Sequence, residues 1–142
     1  MGVLSDLVVA GEGDASQILH TLNPSAELGG IDIKGIDAEK FAALHAIVSG
    51  RPLEEVIGEY DPIAWDSDEG PWVFRISQEL VVQLAQIGPG ERARVAAKWA
   101  ETEEFRFEDW DTRDVSAVLD EISKLAVRAA SAGRAMFLWM SL

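Results

Sequence analysis

Residues 135–142 read AMFLWMSL, an apolar run of strand length that follows Gly133 and Arg134. Strands with one wet face alternate apolar and polar residues, so an unbroken run is expected of a strand covered on both faces. As an exposed sheet edge it would template aggregation. Ala135–Ser141 is therefore expected at the centre of a small sheet, with helices packed over it. Two further stretches, Leu4–Ala10 and Trp72–Ile76, share its enrichment in Val, Leu, Phe and Trp and its Gly, Pro or Asp boundaries. Ile31–Ile36 adds a weaker extended piece, interrupted by Gly35.

Upstream of this strand lies a long helical pattern. Val115, Val118, Leu119, Ile122, Leu125, Ala126 and Ala129 recur on one helical face, with Asp111 and Asp114 at the start and Gly133 at the stop. Trp110 and Val115 take the positions of a hydrophobic staple, and Lys124 and Arg128 suit the carboxy-terminal end of the helix dipole. Five more helices follow from similar signals. Asp14 and Gln17 have capping-box spacing, with Ile18, Leu19 and Leu22 expected inward. Asp37 starts a helix whose face is Phe41, Leu44, His45 and Val48, closed by Gly50. Pro52 opens a stripe of Leu53, Val56, Ile57 and Tyr60. Ser77 caps a helix with Ile76 and Val81 as its staple, and Gly88-Pro89-Gly90 separates it from another at about Glu91–Glu101. The expected fold is a single α+β domain over residues 1–142, with about six helices on a three- to four-stranded sheet.

The charge is uneven. The chain of 142 residues has a net charge of −13, and residues 1–71 hold 14 acidic but only three basic side chains. Pro52–Gly70 contains Glu54, Glu55, Glu59, Asp61, Asp66, Asp68 and Glu69 and no base. Such a surface repels nucleic acid and anionic lipid and attracts basic proteins or cations. There is no Cys, which excludes thiolate chemistry and Cys-ligated zinc. The opening MGVLSDLVVAGEG lacks the basic flank and cleavage site of a signal peptide, and Asp6 stands where a myristoylation pattern needs Ser or Thr. No apolar run reaches membrane-spanning length, so a cytoplasmic protein without membrane association is expected.

Chemical motifs are weak throughout. Of the two histidines, His20 falls off its helix's apolar face and His45 falls on it, and neither has a ligand-spaced partner. Asp66-Ser67-Asp68 begins like a calcium loop, but Gly70 stands one place early and Ser77 occupies the position of the bidentate Glu. Gly11-Glu12-Gly13 lacks the third glycine of a dinucleotide loop and the Lys of a phosphate loop. No catalytic residue, metal ligand or cofactor is assigned. The loop DPIAWDSDEGPW (residues 61–72) reads as an acidic surface loop pinned to the core by Trp65 and Trp72. Of the five tryptophans, Trp110 and Trp139 have structural places. Trp65, Trp72 and Trp99 are left as core residues or as walls of a pocket or interface.

The segments DAEKFAALHAIVSG (37–50) and ISQELVVQLAQI (76–87), followed by a long helix, a glycine and an apolar last strand, carry a resemblance. From about Ile31 onward the chain resembles the YfbM-like family of small bacterial proteins, a domain of unknown function. The resemblance implies an α+β fold and brings no activity, cofactor or catalytic residue. Its one matching polar residue without a structural reason is His45, and the LWMSL ending is bulkier than the family's small apolar tail.

Three functional classes are carried forward. The first is a non-catalytic binding protein, immunity- or inhibitor-like, recognising a basic protein partner. The second is a small-ligand binder or enzyme with a pocket near His45 and Trp72, using Glu69 and Arg75. The third is a structural protein acting as a homo-oligomer. Binding residues expected across these readings are His45, Trp65, Asp66, Asp68, Glu69, Trp72 and Arg75.

Overall fold

In the computed structural model, which describes residues 4–33, 35–106 and 108–142, the apolar tail forms the middle strand of the sheet. The strands are β1 (Leu4–Ala10), β2 (Gly30–Asp32), β3 (Ala64–Trp65), β4 (Trp72–Arg75) and β5 (Ala135–Ser141), in the order β2-β1-β5-β4-β3. Every pairing is antiparallel. β1 and β5 run side by side over their full length, from Leu4 opposite Ser141 to Ala10 opposite Ala135.

Side chains of a strand alternate between faces, and β5 buries both sets. Met136 and Leu138 join the larger apolar cluster, while Ala135, Phe137 and Trp139 join the smaller. Over the larger cluster lie α3 (Ala38–Ser49), α5 (Gln78–Gln86), α6 (Pro89–Ala100) and α8 (Thr112–Ala132), which supply Phe41, Leu80, Trp99 and Ile122 among others. The opposite face is covered by the short α1 (Ala15–Leu19) and α2 (Pro24–Leu28), through Ile18, Leu19 and Leu28. Burial of large apolar side chains on both faces is what fixes the register, since a one-residue slip would exchange the two sets.

The long helix follows its sequence signals closely. The Asp111 carboxylate accepts from the Asp114 amide, the Asp114 carboxylate accepts from the Asp111 amide, and Gly133 closes the helix in the left-handed conformation at φ 64°. Asp37 likewise accepts from the Lys40 amide at the start of α3.

Several expectations need correcting. Among the described residues there are five strands and eight α-helices, against three or four strands and about six helices. The additional elements are β3, α2, α7 (Glu103–Arg106) and the regular part of the weak Ile31–Ile36 piece, which is β2; position 34 lies outside the described residues. Each is too short to print a periodicity, and α2 is tied down from a distance by the buried Asp6 carboxylate, which accepts from the Ser25 amide. Asp14 makes no cap bond to its helix; its carboxylate accepts from the Gly11 amide instead. α1 ends at Leu19, so Leu22 falls beyond the helix and is 95% exposed. The stripe after Pro52 breaks into α4 (Leu53–Val56) and a 3-10 turn (Ile57–Glu59), leaving Ile57 exposed while Val56 and Tyr60 are buried. No helix among the described residues is long and apolar enough to cross a membrane.

Candidate functional site

The apolar face of α3 carries His45 into the interior together with Phe41 and Leu44, and all three have zero exposure. A buried imidazole needs partners for both nitrogens. Nε2 lies 2.5 Å from Glu79 Oε1, in the first turn of α5, and Nδ1 lies 3.1 Å from the Tyr60 hydroxyl, just after the 3-10 turn. The directions follow from the groups themselves. A carboxylate only accepts, so in the neutral ring Nε2 carries the hydrogen and donates to Glu79. Nδ1 then accepts the Tyr60 O–H.

Arg51, just beyond the Gly50 cap of α3, closes the outer side. Its guanidinium donates to Glu79 and Glu59 at 2.9 Å each and to Glu55 at 3.2 Å. Hydrogen bonds from His45 and Arg51 hold the Glu79 carboxyl below the usual carboxylate range. Its hydrogen bond to Glu79 makes Arg51 hold its proton more tightly, and burial pushes the Tyr60 hydroxyl above its ordinary value. The group therefore joins α3, the 3-10 turn and α5 through satisfied, directed bonds, with no free base in it.

A pH dependence follows. Glu79 is more acidic folded than unfolded, so the stability it confers is present above the ordinary carboxylate pKa and is lost as pH falls through its folded value. In urea unfolding from about pH 7 down to about pH 3, the stability gap between wild type and Glu79→Gln should narrow steadily. A gap independent of pH would show that the carboxylate is not held by its neighbours.

The other expected binding residues separate into groups. Trp65, Asp68 and Trp72 meet, with Asp61 and Pro62, around a depression of about 430 Å³. Asp66 lies instead in a hollow of about 420 Å³ with His20, Pro71 and Trp139. Glu69 lines neither and is exposed. Arg75 is turned toward Glu12, which accepts two hydrogen bonds from its guanidinium and is thereby held below the usual carboxylate range. His45 lines none of the five principal depressions. The expected grouping of His45, Trp72, Glu69 and Arg75 around one pocket is therefore not what the fold assembles.

Trp65 is also not the core pin expected of it. On the two-residue edge strand β3, Ala64 packs against the smaller apolar cluster and Trp65 is 57% exposed. Trp72 is its cross-strand partner and packs partly against the larger cluster. The aromatic contacts among the described residues join His45 to Tyr60, Trp99 to Phe105 and Phe105 to Trp110, so Trp65 and Trp72 do not stack on one another. Beneath Trp72 lies Gly70, at φ 94°, where an added Cβ would come within 2.8 Å of the indole.

Four acids of the 61–69 segment, two of them at this depression, lack a compensating base among the described residues. Among the described residues, Asp61, Asp66, Asp68 and Glu69 take part in no ion pair, whereas Glu55, Glu59 and Glu79 share Arg51. No group of three or more His, Asp or Glu side chains among the described residues is arranged to hold a metal ion. Asp61 and Pro62 belong to the acidic loop read from the sequence but not to the expected binding residues, and Tyr60 and Glu79 cannot be assigned to His45 from sequence because they arrive from separate elements. No protein-family model, curated protein or solved structure matches the chain.

Proposed function

We propose that this chain is a non-catalytic binding protein that recognises a basic protein partner, in the manner of an immunity or inhibitor protein. The observation that carries the reading is the set of four acids, Asp61, Asp66, Asp68 and Glu69, that no base of the described chain neutralises, displayed beside an exposed tryptophan. Uncompensated charge of one sign steers association with the opposite sign and repels wrong partners. Aromatic rings with an exposed face supply the anchoring area that charge alone does not. Exclusion of nucleic acid and anionic membranes, and a cytoplasmic place of action, belong to the same reading. The likeness in element order to the YfbM-like family remains part of this proposal and adds no activity to it.

The test is comparative capture followed by reconstitution. Wild type and the quadruple variant Asp61→Asn, Asp66→Asn, Asp68→Asn, Glu69→Gln are used as bait, and proteins retained by wild type alone are purified. The expected partner is strongly basic, and its affinity falls at least about tenfold as salt rises from about 50 to about 300 mM. A partner that the neutralised bait retains equally, or whose affinity ignores salt, would overturn the reading.

A further inference from the structure

We infer that the depression between Trp65 and Trp72 receives an arginine side chain of the basic partner, its guanidinium stacked on an indole and hydrogen-bonded to Asp61 or Asp68. This rests on the basic-partner reading and narrows it to one side chain. The depression has two aromatic walls, Trp65 and Trp72, one apolar residue, Pro62, and two carboxylates, Asp61 and Asp68. That set combines the two interactions a side-chain cation seeks, a ring face and an anionic acceptor. Its volume, about 430 Å³, lies within the range of small-ligand sites.

The walls are suited to a flat group. Cross-strand aromatic partners ordinarily contact each other, yet among the described residues no ring–ring contact joins these two, and both border the depression. Trp72 is held from one side by the core and by Gly70, whose missing side chain lets the indole lie close to the backbone. Trp65 stands on the edge strand with more than half its surface open. Two walls do not form the closed cage that a quaternary ammonium requires. A planar guanidinium needs only one open ring face, and its edge still presents N–H donors to a carboxylate; a lysine ammonium is compact, strongly hydrated and gains less in an open site.

The positive charge must come from outside. Asp61 and Asp68 have no ion-pair partner among the described residues. The arginines of the neighbouring segments are engaged elsewhere, Arg51 with Glu55, Glu59 and Glu79, and Arg75 with Glu12.

The experiment is a titration of the isotopically labelled protein with Nα-acetyl-arginine methylamide, its lysine counterpart and its citrulline counterpart. The indole N–H signals of the five tryptophans, assigned with single Trp→Phe variants, are the readout. Citrulline keeps the shape of arginine and removes its charge. Saturable shifts of Trp65 and Trp72 are expected with a millimolar dissociation constant, about tenfold weaker for citrulline and weaker for lysine. Trp65→Ala, a change at an exposed ring, should weaken arginine binding about 3- to 30-fold. Asp68→Asn provides a second variant that leaves both rings in place, with an expected loss of about threefold or more.

The inference is overturned if citrulline matches arginine, if the shifts fall on Trp99, Trp110 or Trp139 instead, or if no saturation appears below about 50 mM, well above the millimolar range expected of such contacts. Failure here with a salt-sensitive basic partner still retained removes the arginine contact and leaves the basic-partner reading standing. Arginine binding without any such partner removes the broader reading and, with it, the partner as the source of the arginine, leaving only the affinity of the depression for a guanidinium.

Discussion

Replacing Trp99 with alanine is expected to lower the unfolding free energy by about 3–5 kcal/mol, the largest loss from any single truncation considered for this chain. Trp99 is wholly buried near the end of α6, edge-on to Phe105 with ring centroids 5.2 Å apart. Its indole N–H donates to the Lys40 carbonyl in α3 at 2.9 Å, so one side chain both fills the space between two helices and bonds across it. The same pocket holds the buried Lys40 ammonium, 2.5 Å from Glu108 and 5.3 Å from the centre of the Phe105 ring. A cavity there cannot collapse cheaply, because its walls belong to α3, α6 and α7 and are also fixed by that ion pair. Trp99→Phe keeps most of the apolar volume and loses the hydrogen bond, for an expected cost of about 1–2 kcal/mol. Urea unfolding followed by far-UV circular dichroism measures both, with an unchanged denaturant slope confirming that only stability has moved. A loss below about 1.5 kcal/mol for Trp99→Ala would show that the ring is not a packing centre.

Trp99 also marks where reading from sequence stops. Trp110 could be placed because the residues it serves, at the start of α8, are its neighbours in the chain. From sequence Trp99 stays open between core and pocket, because its burial depends on α6 being enclosed by α3 and α7, a tertiary fact with no local imprint. β1 and β5 are legible to the residue, since seven-residue stretches dominated by Leu, Val, Phe, Met and Trp and flanked by glycine or a polar residue state their own bounds. β2 and β3, with three and two residues, state nothing of the kind. Trp65 shows the converse error. A tryptophan in an acidic loop reads as an anchor, but the edge strand turns Ala64 to the apolar cluster and leaves the ring outside. Of the candidate site, the sequence offers Trp65, Trp72 and Asp68 as members of one acidic loop, within a broader set that also holds His45, Asp66, Glu69 and Arg75. The hairpin that joins β3 to β4 brings them together, and the turn after Tyr60 adds Asp61 and Pro62.

His45→Leu is expected to cost about 2–4 kcal/mol, although leucine suits an apolar helix face better than histidine does. The cost comes from what the substitution strands. The buried Tyr60 hydroxyl loses the Nδ1 that accepts its hydrogen, and Glu79 loses one of the two donors that keep it ionised, retaining Arg51. Tyr60→Phe removes the same hydrogen bond from the other side and leaves Nδ1 unpaired, for about 1–2 kcal/mol. Because each single change orphans a buried polar atom and the double change orphans neither, the losses should fall short of additive by about 1–2 kcal/mol. His45→Gln retains a donor toward Glu79 and should lie between wild type and His45→Leu. The cycle is read from urea midpoints near neutral pH, where Glu79 is ionised in every variant. Strict additivity would mean that Tyr60 and His45 are stabilised independently, and the Tyr60–His45–Glu79–Arg51 chain would then be a set of unconnected contacts. A coupled result assigns His45 to holding the hydrogen-bonded junction of α3, the 3-10 turn and α5. Tyr60 closes that turn and Asp61 and Pro62 follow it directly, so the same junction fixes the residues that complete the acidic, tryptophan-lined depression.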